Sequence, residues 1–294
     1  MSLRKSSINR EIFDPSISEN NQAKRNQRPC RRNTKSLFIS VELSRQLDNW
    51  LAAADLTHGP AKAIIAPHAG YTYCGACAGY AYRQVSPAVV KRIFILGPSH
   101  HVRLRGCALS TATKYKTPLY DLKIDTQSNQ LTHILKCIYP TYFKDQFTIV
   151  PILVGSLSPN QEAVYGDILS QYFTDPQNLF VISSDFCHWG QRFRYTYYDE
   201  SCFAIYQSIE KLDKMGMDII ETLNPTAFTE YLKQYNNTIC GRHPIGVMLN
   251  AAKVLKSRGY NLSFKFLKYA QSSQCTDHSD SSVSYASGSL VFES

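Results

Sequence analysis

The sequence predicts a three-layer α/β/α sandwich built around a mixed, mostly parallel sheet. Short apolar runs of strand length alternate with longer segments of helical period. Those runs are apolar at every position rather than every second one, so a strand made from them must be covered on both faces. No internal repeat and no Pro- or Gly-rich linker follows residue 36, which predicts one domain over residues 37–294 behind a tail at 1–36.

In chain order, residues 40–54 open the domain as a helix, with Leu43, Leu47, Trp50 and Leu51 on one face. Ala63–Ala66 reads as a short buried strand, 74–84 as a helix, and Arg92–Leu96 as a second strand. Phe147–Val154 is a third strand, and Pro151 within it predicts a sheet edge or a bulge, because proline cannot donate to a ladder. A helix at 160–173 precedes the strand Leu179–Ile182. Helices follow at 199–212, 225–234 and 244–257, then strands at Leu262–Tyr269 and Val283–Phe292.

The formal charge of +9 is unevenly spread. Residues 1–36 carry nine basic and three acidic side chains, and the remainder carries 23 basic and 20 acidic. A tail rich in Asn, Arg and Ser reads as disordered and solvated. The near balance elsewhere argues against nucleic acid as a partner. No apolar run reaches the roughly 18 residues needed to cross a bilayer, and the first ten residues lack the apolar segment of a secretory signal. The expected compartment is the cytosol, with the nucleus open. Nine scattered cysteines in 294 residues do not read as a disulfide framework. Cys74 and Cys77 have redox spacing, but their small-residue surroundings suit close helix packing better.

In a sheet of this kind, sites form beyond the carboxyl ends of the strands. Ala63–Ala66 gives way to Pro67-His68-Ala69-Gly70, and Arg92–Leu96 to Gly97-Pro98-Ser99-His100-His101. Leu179–Ile182 gives way to Ser183-Ser184-Asp185-Phe186-Cys187-His188. Five of the eight histidines lie in these loops or in Cys240-Gly241-Arg242-His243. The recurrence points to one polar, metal-capable site made from His68, His100, Asp185, His188 and Cys240. Two imidazoles and a carboxylate suit non-haem Fe(II). Two imidazoles and a thiolate suit copper or zinc and can also hold iron. Cys240 precedes a helix start and is followed by Arg242 and His243, so its thiol is expected to have a lowered pKa. His100 and His101 are adjacent, so at least one is expected to point outward.

Residues 63–75 (AIIAPHAGYTYCG), 94–101 (FILGPSHH), 183–193 (SSDFCHWGQRF) and 238–246 (TICGRHPIG) resemble the Memo family, mediators of ErbB-driven cell motility. Asp213–Met217 and Tyr269–Cys275 resemble its animal members. The resemblance covers about residues 40–125 and 147–292. It implies a fold related to class III extradiol dioxygenases and a metal set, for iron or copper, at His68, His100 and Cys240. Asp185 and His188 fall on neighbouring polar positions of the pocket and are the candidate catalytic residues, none being established. The implied role is a non-catalytic signalling adaptor that relays receptor tyrosine kinase signals to the cytoskeleton during cell migration. Its implied partners are a phosphotyrosine-containing receptor peptide, adaptor proteins and cytoskeletal regulators. The alternative is a metal-dependent oxidoreductase of the dioxygenase kind using the same pocket; a zinc hydrolase is a weaker third. Two family pieces have no counterpart here: a His-Ala-Gly-Ser-Trp-Tyr motif near the N-terminus, and a Glu-His-Ser…Glu motif, for which only Thr126–Gln146 remains.

Overall fold

The computed structural model describes residues 34–117, 119–125 and 147–293. Ten strands form a single sheet among these residues. They are β1 (Ala63–Ala66), β2 (Arg92–Pro98), β3 (Cys107–Leu109), β4 (Lys114–Lys116), β5 (Asp121–Ile124), β6 (Thr148–Val154), β7 (Asn178–Ser183), β8 (His188–Trp189), β9 (Leu262–Gln271) and β10 (Ser282–Phe292). The order is β4-β5-β6-β2-β7-β1-β10-β8, with β3 also on β6 and β9 also on β10. The run β5-β6-β2-β7-β1 is parallel, and the outer pairs are antiparallel. Six helices flank it: α1 (Thr34–Ala52), α2 (Tyr71–Tyr82), α3 (Pro159–Phe173), α4 (Ile205–Glu221), α5 (Pro225–Tyr235) and α6 (Arg242–Ser257).

The fully apolar strands do cover two cores. Ala63, Ile65, Phe94, Leu96, Phe180 and Ile182 face one side, with residues of α3, α4, α5 and α6. Their neighbours Ile64, Ala66, Ile95, Leu179 and Val181 face the other, with residues of α2. The period of two sends successive side chains to opposite faces; when both faces are packed, the polar half of the pattern disappears. The expected three layers are therefore present.

Pro151 corrects one expectation. It sits inside the sheet, aligned with Ile95 of β2, rather than at an outer strand. On the far side of β6, β5 aligns with 148–149 and β3 with 152–154, leaving 151 opposite a break. The carbonyl of Ile149 accepts from Asp125 on that far side, and alternation turns Pro151 the same way. No ladder hydrogen bond is asked of it. The last strand pair also has a marked outer side. β9 pairs with β10 alone among the described strands, a register shift lies at Ser287/Gly288, and the Phe266 N–H donates to the Glu221 carboxylate at 2.6 Å.

Several boundaries move. α1 begins at Thr34, inside the stretch read as tail; residues 1–33 lie outside the described residues. α4 begins at Ile205 instead of 199, because Asp199 caps the turn before it, accepting from the Ser201 N–H and pairing with Lys211 at 2.6 Å. The Cys74/Cys77 segment serves packing: a Cβ on Gly75 would lie 2.3 Å from the Trp50 ring, and one on Gly79 2.6 Å from the Trp50 carbonyl. Both thiols are buried, and burial pushes Cys77 up to about 11. No disulfide joins any two of the seven described cysteines. Among the described residues no helix is long and apolar enough to cross a membrane.

Candidate metal centre

β1, β7 and β2 are consecutive in the sheet, so their carboxyl ends lie side by side. Ala66 aligns with Ser183, and Leu96 with Ile182. His68, His100 and the Asp185–His188 turn therefore leave the sheet at one edge. Cys240 joins them from the turn before α6. Its N–H donates to the Asp185 carbonyl at 3.3 Å, and the Asp185 N–H donates to Cys240 Sγ at 3.2 Å. Gly241 follows, with its N–H on Ser184 Oγ at 3.0 Å. A Cβ at Gly241 would lie 2.3 Å from Ser184 Cβ, so glycine is what permits this approach.

Three donor atoms converge. His68 Nε2 lies 3.3 Å from Cys240 Sγ and 3.3 Å from His100 Nε2, and all three fall within 4.8 Å of one another. An ion about 2.0–2.1 Å from imidazole nitrogen and about 2.3 Å from sulfur, in tetrahedral geometry, sets N···N near ~3.3 Å and N···S near ~3.6 Å. The His68 edges match that spacing, so His68, His100 and Cys240 form a group able to hold a metal ion and leave one face open. This is the only such group among the described residues. Burial holds both imidazoles below the ordinary histidine value, which leaves them neutral and ready to donate lone pairs at neutral pH.

The supports are specific. His68 Nδ1 meets Ser183 Oγ at 2.8 Å, and the His68 N–H donates to the Asp185 carboxylate at 2.8 Å. The other Asp185 oxygen stands 4.0 Å from His68 Nε2. Asp185 thus braces His68 and faces the group without joining it. His188 Nδ1 lies 2.9 Å from the Phe186 carbonyl and 3.1 Å from the Thr238 carbonyl. Two acceptors require a proton on Nδ1. His188 is close enough to act electrostatically on both His68 and His100.

The Cys240 expectation is corrected. Its thiol is pushed up to about 12, first by burial and then by the Asp185 carboxylate. The helix start cannot offset this, and Arg242 is exposed. Without a metal, Cys240 is a protonated thiol; a bound cation would displace that proton. His243 turns away to Glu162 of α3 at 2.7 Å, and His101 is exposed. Trp189 is fully buried, its indole donating to the Tyr197 carbonyl at 2.8 Å.

Four contributors escaped the sequence reading: Ser183, Thr238, Asn237 and Asp213. Thr238 Oγ1 accepts from the His188 N–H at 2.7 Å. Asp213 had a legible signal. It lies on the buried stripe of α4 with Ile205, Ile209, Leu212, Gly216 and Ile220, where a carboxylate is out of place unless its neighbours serve it.

A family model described as Memo-like protein matches residues 40–141 and 132–289. The two matches overlap within the short stretch that lacks the acidic motif, which lies outside the described residues. Protein MEMO1 of Danio rerio is 58% identical over 273 residues, covering 85% of this chain and 92% of the relative. The Homo sapiens protein of that name is 56% identical with the same coverage. The memo-1 homolog of Caenorhabditis elegans is 48% identical over 272 residues, covering 85% of this chain and 78% of its own length. The chain belongs to the Memo-like family.

Proposed function

We propose that this chain is a non-catalytic signalling adaptor of the cytosol whose pocket holds iron or copper through His68, His100 and Cys240. In this reading the pocket docks a phosphotyrosine-bearing receptor segment and relays receptor tyrosine kinase signals to the cytoskeleton in cell migration. The convergence of the three donor atoms supports the metal part. A thiolate in the third position suits copper or zinc, and can also hold iron, but departs from the two-His-one-carboxylate set of oxygen-activating iron. The rim supports an anionic partner: exposed Arg242 lies two residues beyond Cys240, and exposed Arg192 rests on the Phe193 ring at 4.4 Å, which packs on His188 at 5.3 Å. Guanidinium groups bind phosphate with paired, planar hydrogen bonds. A bound ion would supply Lewis acidity or a redox couple; the chain itself supplies three donors, a fixed His68 and the arginine rim.

Metal analysis of the purified protein tests the first part. Bound iron or copper should be present in the native chain and absent in His68→Ala and Cys240→Ser; retention in both variants removes the metal reading. Titration with a tyrosine peptide and its phosphorylated form tests the second: preference for the phosphorylated form, lost in Arg192→Glu, is expected, and equal binding of the two overturns it. One observation favours an oxidoreductase as the second reading. His188, its Nδ1 held by two carbonyls, lies near enough to His68 and His100 to act on both electrostatically and is the candidate general base. Oxygen uptake with ring-opened product from a catechol panel would move the assignment there.

A further inference from the structure

We infer that Asp213 is a positioning residue of the metal centre, holding the Asp185–His188 turn and the Asn237–Cys240 turn in one fixed relation from beneath. The inference rests on reading His68, His100 and Cys240 as a metal centre. Asp213 is fully buried on α4 and forms no ion pair with a Lys, Arg or His among the described residues. Its carboxylate receives four donors from four segments. Oδ1 takes the Cys187 N–H at 3.3 Å and the Asn237 amide at 2.9 Å. Oδ2 takes the Tyr269 hydroxyl at 2.9 Å and the Ser284 hydroxyl at 2.5 Å. In its ionised form the carboxylate accepts at every lone pair and serves all four.

The donors lie next to the ligands. Cys187 separates Asp185 from His188, and Asn237 is three residues before Cys240. Above them the turns are zipped together: the His188 N–H to Thr238, the Cys240 N–H to the Asp185 carbonyl, and the Asp185 N–H to Cys240 Sγ. The zipper fixes the turns to each other, and backbone bonds of Phe186 and Cys187 with Ser284 tie the first turn to β10; Asp213 adds one anchor shared by both turns, β9 and α4. An isolated buried carboxylate is costly to keep, and ordinary packing could be met there by an apolar side chain. What an apolar side chain could not do is hold an amide of each turn on one atom. Asp213→Asn keeps the shape but removes the charge and replaces one of the two accepting oxygens with a donating NH2.

The test uses full-length protein and Co(II) alone as probe, reading its affinity and the thiolate-to-cobalt absorption that reports the Cys240–metal bond. Leu255→Ala, at the far end of α6 and fully buried, controls for lost stability. Asp213→Asn should weaken Co(II) binding about 10- to 100-fold, as loss of a ligand's outer support does, and shift the thiolate band, while Leu255→Ala leaves both unchanged. Wild-type affinity and band in Asp213→Asn, or an equal loss in Leu255→Ala, overturns the inference. Should Asp213→Asn fail to fold, Ser284→Ala and Tyr269→Phe each remove one donor; both must weaken binding, and neither doing so overturns it. Absence of a thiolate band in the native chain would defeat the metal reading instead. The rate of Cys240 alkylation by iodoacetamide in metal-free protein, followed by peptide mass, then decides: faster in Asp213→Asn than in the native chain and Leu255→Ala supports positioning, and equal rates refute it.

Discussion

His68 and Cys240 sit in a mesh of backbone and side-chain hydrogen bonds, whereas His100 stands exposed, with the His68 ring as its described partner, 5.4 Å between centroids. The first pair is tied to β7, to α6 and, through the neighbouring turns, to Asp213. His100 is carried by a loop whose local bond is Ser99 Oγ to the Val102 carbonyl. Were an ion held there as proposed, it would meet two preset donors and one that can adjust, which would lower the ordering cost of binding and leave room for ions of different size.

The sharpest way to break that contrast is to remove ligands from each side. Cys240→Ser and His100→Ala should both abolish stoichiometric metal binding, read by elemental analysis; if His100→Ala retains a full complement, the centre is a two-donor site and the adjustable arm is irrelevant. Next in size is the pH response of the buried buttress. Burial raises Asp213 from 3.8 to about 6. A carboxyl raised on folding contributes stability that is complete below the unfolded value and lost as pH rises through the folded one. Metal-free protein should therefore lose about 3 kcal/mol from this group between pH 4 and 7, and urea titrations across that range should show the slope vanish in Asp213→Asn. An unchanged slope would mean that other groups set it. Gly241→Ala comes third: its Cβ would meet Ser184 and the Ser183 carbonyl, costing about 2 kcal/mol by overpacking in chemical denaturation. Smallest is the effect of His100→Ala on the metal-free fold, expected within about 0.5 kcal/mol because the side chain is exposed; a larger loss would show that the arm is not free.

Much of this was legible in the residues, for a physical reason. β1 was bounded correctly because a four-residue apolar run between small and polar residues admits little else. The converging donors His68, His100 and Cys240 were legible because imidazoles at strand ends and a thiol before a helix are chemically conspicuous. β3, β4, β5 and β8 were not, since none of them offers β1's four consecutive apolar residues. The Cys240 thiol was misjudged because its acidity depends on burial and on Asp185, a residue 55 positions away, rather than on the adjacent Arg242. Pro151 was misjudged because the break between β5 and β3 is a property of strands that the sequence pattern hid.

The outer side of β9 has a consequence for self-association. A ten-residue strand whose outer side meets no other described strand offers a template to any passing chain. Here the Phe266 N–H is already taken by Glu221, and the irregularity opposite Ser287/Gly288 breaks the straight run of the pair. Lys265 and Lys268 add like charge along the same strand. The longest hairpin of the molecule is thereby a poor surface for edge-to-edge pairing, and Glu221, remote from any ligand, belongs to the residues that keep the chain from aggregating.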